Sequence, residues 1–195
     1  MVKLVNQTIF ASKIKAKKLW LFGAAEVRTL FGLSASATAS LLHRYKKAGF
    51  IVQPRRGLYL LPDTLPSDFH LANRMYSPSY LSLEAALSYH GIIPETVYEI
   101  TSVTPKATRR FSALGKVFSY HKIKQSAYSG YRTEPYQGVS FYIAEPEKAI
   151  VDASYLRLVR GGNQIERFNK QKLDLGKTLS YARLFGNAKL VEKIK

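Results

Sequence analysis

The sequence contains no cysteine among its 195 residues. This absence excludes disulfide bonds, thiolate zinc sites and cysteine nucleophiles, and it agrees with a reducing compartment. The chain also lacks a run of about 18 apolar residues, the length that a membrane-spanning helix needs. Its first residues lack the apolar segment of an export signal. We therefore expect a cytoplasmic protein that is neither exported nor embedded in a membrane.

Acidic residues are scarce as well. Thirteen Asp and Glu stand against 30 Lys and Arg, which gives a formal net charge of +17 and a pI near 10.0. Such an excess is typical of proteins with a polyanionic partner: nucleic acid, an acidic protein or anionic lipid. Within residues 1–61, Glu26 is the one acid against eleven Lys and Arg. The charge is therefore densest at the N-terminal end. Membrane-surface binding is less favoured, because no basic helix with an aromatic apolar face stands apart from the fold.

Two prolines, Pro62 and Pro66, bracket polar residues and predict an interruption of regular structure. We place a domain boundary there and expect two domains, residues 1–65 and 66–195. Hydrophobic residues make up 46% of the chain, which is typical of globular proteins. Each part is long enough to bury a core of its own.

The first domain is predicted to contain three helices and a β-hairpin. The helices span residues 6–19, 24–31 and 35–48. Ser34 is a favourable N-cap for the third helix, and Gly49 is a favourable stop. Two apolar runs around a glycine turn predict the hairpin, at residues 50–53 and 58–61. This order is that of a winged helix-turn-helix, in which the third helix enters the major groove and the hairpin rests on the DNA backbone.

The third helix begins with seven small residues, 34–40. They let its backbone approach a groove while their hydroxyls reach bases or phosphates. Arginines at the hairpin tip suit phosphate, because a guanidinium forms paired bonds to anionic oxygens. Each feature alone also fits a solvated surface, but the combination favours DNA. The predicted DNA-binding residues are Ser34, Ser36, Thr38, Ser40, Arg44, Lys47, Arg55 and Arg56.

The second domain is predicted to be mixed α+β. We expect helices at residues 68–76, 81–90, 147–158 and within 173–195, and strands at 99–104, 116–124 and 138–144. Its densest basic stretch fits either a partner surface or a solvated strand edge. That stretch comprises Arg109, Arg110, Lys122 and Lys124.

The sequence shows no pattern typical of catalysis or metal binding. The four histidines are scattered without metal-ligand spacing, and no phosphate-binding glycine loop or nucleophile elbow occurs. The carboxylate-x-lysine pair that restriction-type nucleases generally need is missing. Glu145, Glu147 and Asp152 gather near Lys148, and we interpret them as helix-start carboxylates plus an i,i+4 ion pair between Lys148 and Asp152. We therefore expect no enzyme, no metal and no cofactor.

Five segments of the sequence carry a family pattern. They are LLHRYKKAGF at residues 41–50, RGLY at 56–59, YLSLEAALSYHGIIPE at 80–95, ITSVT at 100–104 and PEKAIVD at 146–152. Together they resemble the AbiEi antitoxins of type IV toxin–antitoxin (abortive infection) pairs. The resemblance spans roughly residues 20–155, and the rest of the C-terminal end matches no motif of that family.

The resemblance implies a repressor and antitoxin. Its N-terminal domain would bind inverted repeats in double-stranded DNA at its own promoter, with contacts from residues 34–40, Arg44, Lys47, Arg55 and Arg56. Its C-terminal domain would counter a nucleotidyltransferase-like toxin without a stable complex. For that domain only a surface carries over, the basic stretch of Arg109, Arg110, Lys122 and Lys124.

Two other functions stay open. An effector-responsive winged-helix regulator with no toxin partner would hold a ligand pocket in its C-terminal domain, and the ligand would change its DNA affinity. A nucleic-acid enzyme would cleave with Mg²⁺ and lose that activity on Asp152→Ala, although the missing carboxylate-x-lysine pair argues against it.

Overall fold

The computed structural model describes residues 5–64, 66–136, 138–163, 165 and 167–194. The chain divides into two compact units, Met1–Ser67 and Asp68–Lys195, which we call unit 1 and unit 2. The predicted boundary falls beside Leu65, which lies outside the described residues. Both units contain helices and strands, so the chain is a mixed α+β protein.

Unit 1 begins with three helices whose ends follow from local capping signals. They are α1 (Gln7–Ala16), α2 (Ala24–Phe31) and α3 (Ala35–Lys47). Asn6 caps α1, since its Oδ1 accepts a hydrogen bond from the backbone N–H of Ile9 at 2.8 Å. Gly32 follows α2 at a φ of 63°, a left-handed conformation that glycine adopts without strain. The helices predicted at residues 24–31 and 35–48 are confirmed, and the first helix ends earlier than predicted.

A β-hairpin follows these helices. Its strands, β1 (Val52–Arg55) and β2 (Leu58–Leu60), pair antiparallel. The loop between them contains Gly57 at a φ of 82°, a left-handed conformation that glycine adopts without strain. Phe22, just before α2, exchanges two backbone hydrogen bonds with Tyr59 of β2, at 2.9 and 2.8 Å. These bonds tie the hairpin to the start of α2.

Aromatic rings fill the core of unit 1, and Phe10 of α1 is fully buried among them. Its ring centre lies between 5.1 and 6.1 Å from those of Phe22, Phe31, Tyr45 and Phe50. Phe31 stacks on Phe10, whereas the other three rings meet it edge to face. Both arrangements are favoured by the quadrupoles of the rings. The cluster therefore joins all three helices around one side chain.

Unit 2 is built on a six-stranded mixed sheet with the order β5-β6-β4-β3-β8-β7. The strands are β3 (Tyr80–Leu81), β4 (Glu99–Thr104), β5 (Arg109–Ala113), β6 (Lys116–Lys122), β7 (Tyr131–Tyr136) and β8 (Val139–Ala144). The pairs β4–β6 and β3–β8 are parallel, and the other neighbours are antiparallel. The edge strands are therefore β5 and β7.

Helices cover both faces of this sheet. They are α4 (Asp68–Met75), α5 (Leu83–Tyr89), α6 (Pro146–Arg160), α7 (Leu175–Arg183) and α8 (Ala188–Ile194). The strand register puts Tyr120 of β6 and Tyr80 of β3 on opposite faces. Tyr120 donates its hydroxyl to the carbonyl of Ala72 in α4, and Tyr80 donates to Asp152 in α6. Thus α4 lies on one face and α6 on the other.

Two predictions for unit 2 need correction. The helix predicted over residues 81–90 begins only at Leu83, because Tyr80 and Leu81 pair with neighbouring strands as β3. The strand predicted over residues 116–124 ends at Lys122. Among the residues that the structure describes, no helix is both long and apolar enough to cross a membrane.

Candidate nucleic-acid interface

The first turn of α3 exposes small hydroxyl side chains. Ser34 precedes the helix in an extended conformation, and its Oγ accepts a hydrogen bond from the N–H of Ala37 at 3.2 Å. The Oγ of Ser36 lies 3.1 Å from that of Ser34. Ser34, Ser36 and Ser40 are all exposed. Small side chains alone therefore stand between the backbone of this turn and a partner.

Thr38, in contrast, is not available to a partner, and its predicted role in DNA binding needs correction. Its side chain is 1% exposed, and its Oγ1 donates a hydrogen bond to the carbonyl of Ser34 at 2.8 Å. Thr38 precedes Leu41, Leu42 and Tyr45 by three, four and seven positions, the spacing of one helix face. All three of those residues are buried. Thr38 therefore belongs to the core side of α3.

The second half of α3 exposes cations beside its buried face. Arg44 and Lys47 are exposed, and the Arg44 guanidinium lies 5.6 Å from the ring centre of Tyr45. Tyr45 donates its hydroxyl to the carbonyl of Val5 at 2.7 Å, and burial raises the pKa of its phenol. Arg44 and Lys47 thus project from a helix whose other face is fixed in the core.

The hairpin places two arginines where its strands turn. Arg55 ends β1 and is partly buried, whereas Arg56 lies in the loop and is exposed. Lys46 near the end of α3 donates a hydrogen bond to Oε1 of Gln53 in β1 at 2.6 Å. This bond ties α3 to the hairpin. Of the two predicted hairpin contacts, Arg56 is the more accessible.

The acids of unit 1 lie outside α3 and the hairpin, because no acid occurs in the sequence between Glu26 and Asp63. Glu26 accepts a hydrogen bond from the backbone N–H of Gly23 at the start of α2. Asp63 pairs with Lys15 at 2.5 Å, and this hydrogen bond holds the pKa of the Asp63 carboxyl below its usual value. Six of the eight predicted DNA-binding residues are exposed, and we call them the α3–hairpin surface: Ser34, Ser36, Ser40, Arg44, Lys47 and Arg56.

The predicted basic surface of unit 2 is not one patch. Arg109 and Arg110 are neighbours on β5, so their side chains point to opposite faces of the sheet. Arg110 pairs with Glu99 at 3.2 Å. Lys122 ends β6, and Lys124 beyond it donates to a backbone carbonyl after α7 at 2.7 Å. The four cations are spread over both faces and the strand end, and two of them are already bonded.

The predicted ion pair between Lys148 and Asp152 is confirmed, and both side chains are 0% exposed. Asp152 also accepts hydrogen bonds from the hydroxyls of Tyr80 at 3.1 Å and Ser82 at 2.8 Å. Burial lowers the pKa of Lys148 and raises that of Asp152, against the attraction within the pair. Neither charge reaches the surface, so the pair is part of the core of unit 2.

The other two clustered carboxylates stand apart from this pair, at the start of α6. The Nζ of Lys177 in α7 lies 3.0 Å from Glu145 and 3.6 Å from Glu147. Tyr181 of the same helix also donates its hydroxyl to Glu145. These acids therefore fasten α7 to α6, a role separate from that of Asp152.

Over the described ranges of the chain, no three His, Cys, Asp or Glu side chains are grouped so as to hold a metal ion. Two histidines bond to backbone carbonyls instead, His70 to Ser140 and His90 to Ala144, each at 2.8 Å.

No protein-family model matches the chain, and no curated protein shows significant similarity to it.

Proposed function

We propose that unit 1 is a winged helix-turn-helix that binds double-stranded DNA, with α3 in the major groove and the hairpin against the phosphate backbone. The observation that carries this proposal is the α3–hairpin surface. It combines hydroxyls and cations on two elements joined through Lys46 and Gln53. It also lies in the acid-free segment between Glu26 and Asp63, so no carboxylate of that segment repels a phosphate.

The residue types on this surface suit different parts of a duplex. Small residues at the start of α3 let the helix backbone approach base edges in a groove about 12 Å wide. Hydroxyls such as those of Ser36 and Ser40 hydrogen-bond to bases or phosphates. Arg44 and Lys47 lie further along the helix, where phosphates flank the groove. Arg56 presents a planar set of donors that matches phosphate oxygens.

We assign to unit 2 the antitoxin activity that the resemblance to AbiEi proteins implies. The three segments behind the resemblance in this unit meet in its core. Tyr80 and Ser82 bond to Asp152, and Thr101 donates to the carbonyl of Ser82 at 2.7 Å. These four residues of the matching segments thus form a buried framework. Activity against a nucleotidyltransferase-like toxin would reside on the surface around it, and the proposal gives this chain no catalytic step.

The proposed function is therefore that of a cytoplasmic repressor and antitoxin. It would bind inverted repeats in its own promoter through unit 1 and counter the toxin of a type IV pair through unit 2.

Binding of the full chain to DNA upstream of its own gene, measured across a salt series, tests the DNA half. We expect sequence-selective binding with a log–log slope of about −5 or steeper, since each neutralised phosphate contributes about −0.9. Arg56→Ala should make the slope shallower by about 1, because one phosphate contact is lost. Lys15→Ala is the matched control. It removes the same charge from a side chain that is paired with Asp63, so its slope should stay at the wild-type value.

Weak binding that ignores sequence and does not change with Arg56→Ala would contradict the DNA half. An equal change for Arg56→Ala and Lys15→Ala would also contradict it, because the effect would then reflect total charge rather than a contact.

Co-expression with the gene immediately downstream tests the antitoxin half. We expect that gene alone to arrest growth and the full chain to relieve the arrest. Arg56→Ala should lose repression of the operon and still relieve the arrest, because the residue lies in unit 1. If growth is not rescued, or if the downstream product is harmless, the antitoxin half fails and an effector-responsive regulator becomes the better explanation.

A further inference from the structure

A gap in the sheet of unit 2 opens a groove beside β8. Strand β3 has two residues and pairs with β8 at one position, so within the described residues the first half of β8 has no strand on that side. Side chains of α4 take its place. Asn73 bonds to both the N–H and the carbonyl of Tyr142, at 2.5 and 3.4 Å, and His70 donates to the carbonyl of Ser140. A groove of about 670 Å³ lies here, within the size range of ligand sites.

Three tyrosine rings line this groove and hold one another in place. Tyr131 stacks on the buried Tyr80, with ring centres 4.6 Å apart and an angle of 19° between the rings. Tyr128 and Tyr142 lie 5.5 and 5.7 Å from Tyr131. Tyr131 is 38% exposed and Tyr142 is 49% exposed. The rings therefore form a supported platform that remains open to a planar ligand.

The groove carries positive charge and no carboxylate among its described lining residues, of which Arg74 is the cation. The Lys106 ammonium adds a second positive charge at the rim, where it donates to the carbonyl of Ser77 at 2.6 Å. Ser79 lies in the wall, and its Oγ is buried without a hydrogen-bond partner among the described residues. A buried unpaired hydroxyl is costly, and a ligand with a polar edge would satisfy it.

We propose that this tyrosine groove, lined by Arg74, Ser79, Tyr128, Tyr131 and Tyr142, binds an unpaired nucleobase together with its phosphate. Exposed tyrosine rings stack on any base, because every base has a π-face. The Ser79 hydroxyl meets a polar edge of the base, and Arg74 and Lys106 attract the phosphate. An apolar ligand fits less well, because much of the wall is polar and its charge is positive. The site lies on unit 2 and is separate from the duplex-binding surface proposed for unit 1.

Fluorescence anisotropy of a labelled single-stranded RNA, titrated with the full chain, tests this proposal. The probe is 5′-fluorescein RNA of about twelve nucleotides, a length within the range that single-stranded sites cover. Tyr142→Ala should weaken binding about tenfold, since the loss of one stacking ring typically has an effect of this size. Tyr142→Phe should bind like the wild type, because it keeps the ring.

Two further variants separate a ligand contact from a general disturbance. Tyr98→Ala is the matched control, because Tyr98 is 87% exposed and does not line the groove; its affinity should stay unchanged. Ser79→Ala removes a hydroxyl that has no hydrogen-bond partner among the residues that the structure describes, so its thermal midpoint should not fall. We expect this variant to lose affinity several-fold while it remains folded.

Competition with adenosine and uridine monophosphates identifies the source of the base. Displacement of the RNA indicates a free nucleotide, and resistance to displacement indicates a strand. Either result supports the proposal when Tyr142→Ala binds more weakly than wild type. Equal affinities for wild type, Tyr142→Ala and Ser79→Ala would overturn it. The ratio of wild-type to Tyr142→Ala affinity should be the same in an Arg56→Ala background, so failure of the duplex proposal is distinguishable from failure of this one.

Discussion

The two units carry almost equal net positive charge, but they differ in the fraction of their cations that can pair with an acid of the same unit. Residues 1–67 hold eleven Lys and Arg against two acids, and residues 68–195 hold nineteen against eleven, for net charges of +9 and +8. Two acids cannot pair with eleven cations, so most cations of unit 1 face solvent or a partner. Net charge alone therefore does not locate a polyanion site. The ratio of cations to acids within one unit is the better guide.

Many cations of unit 2 form ion pairs with acids of the same unit. Its ion pairs include Lys116–Asp68, Arg110–Glu99, Arg132–Glu134, Lys148–Asp152, Arg157–Glu84 and Lys177–Glu145. All of these except Lys148–Asp152 are at least partly exposed, and an ion pair that water reaches contributes little to stability. They nevertheless reduce the charge that the unit presents to a polyanion. The tyrosine groove is an exception, because its described lining contains no acid.

The cores of the two units also differ in how they use charged residues. Unit 1 packs aromatic rings around Phe10, whereas unit 2 buries a charged pair, Lys148 and Asp152, between its sheet and α6. The first core is held by apolar contact and the second needs its polar partners to be complete. Substitutions at these two places should therefore act through different physical causes.

Phe10→Ala should produce the largest effect, a loss of about 3–5 kcal/mol from the free energy of unfolding of unit 1, because a large cavity replaces the central ring. The chain has one tryptophan, Trp20, and it lies in unit 1. Urea unfolding followed by its fluorescence therefore reports on this unit. Ile9→Ala on the same helix is the control, because Ile9 is 45% exposed; its effect should stay within about 0.5 kcal/mol. Equal effects of the two variants would contradict the aromatic core.

Asp152→Ala should come next, with a loss of about 3 kcal/mol in unit 2, because it leaves Lys148 buried without its partner. The loss falls at the lower end of the range for broken buried pairs, because burial lowers the pKa of Lys148 and so reduces the cost of neutralising its unpaired ammonium. Urea unfolding followed by far-ultraviolet circular dichroism measures the effect.

The double variant Lys148→Met/Asp152→Asn is the control for this prediction. It removes both charges and keeps an acceptor for the hydroxyls of Tyr80 and Ser82. We expect it to recover most of the lost stability, because uncharged replacements of a buried pair are often neutral. If it is as unstable as Asp152→Ala, shape rather than charge decides the stability of this core.

Local signals explain which parts of this fold the sequence predicts. Helices α2 and α3 follow from caps and stops at Gly32, Ser34 and Gly49, each within two residues of the helix it limits. The spacing that Thr38 shares with Leu41 and Tyr45 also predicts its burial. Its hydroxyl nevertheless suggests a DNA contact, although such a group can equally bond to its own helix, as it does here to the carbonyl of Ser34.

Contacts between residues distant in the sequence explain the features that the sequence alone does not predict. Strands β5 and β7 carry charged residues or a proline, as edge strands do, so they lack an alternating pattern. They are strands because β6 and β8 pair with them. The tyrosine groove likewise depends on the β7–β8 pairing and on a stack with Tyr80, which is distant in the sequence. The spacing of Lys148 and Asp152 predicts their pairing, but their burial depends on the distant residues Tyr80 and Ser82.

The pH dependence of unit 2 sharpens the comparison. Burial lowers the pKa of His70, His90 and His121 below the usual value of 6.5. These histidines therefore take up protons more readily in the unfolded chain than in the folded chain. The stability that comes from burying them in the neutral form is present above pH 6.5 and is lost as pH falls through the folded pKa. Each such proton contributes a slope of about 1.4 kcal/mol per pH unit. Urea midpoints by circular dichroism at pH 7 and pH 5 should show the loss.

His70→Gln is the variant that tests this assignment. Its amide can still donate to the carbonyl of Ser140 but takes up no proton, so stability should fall less steeply between pH 7 and pH 5. An unchanged slope would remove His70 from the titrating set. If the stability of unit 1, followed by Trp20 fluorescence, falls as steeply with pH as that of unit 2, the pH dependence does not distinguish the two units.

Ser34→Ala should give the smallest effect, a loss of about 1 kcal/mol from unit 1, because α3 loses its N-cap. Ser34 Oγ accepts the N–H of Ala37, whereas Ser40 lies exposed within the helix. Ser40→Ala should leave stability unchanged or raise it slightly, since alanine is the better helix former. Both serines lie on the α3–hairpin surface, so both variants should weaken DNA binding. Stability measured through Trp20 fluorescence separates the role in the fold from the role in DNA binding. If Ser40→Ala loses DNA binding at full stability, the loss comes from the interface. If Ser40→Ala binds DNA fully, the interface is restricted to the start of α3 and the cations.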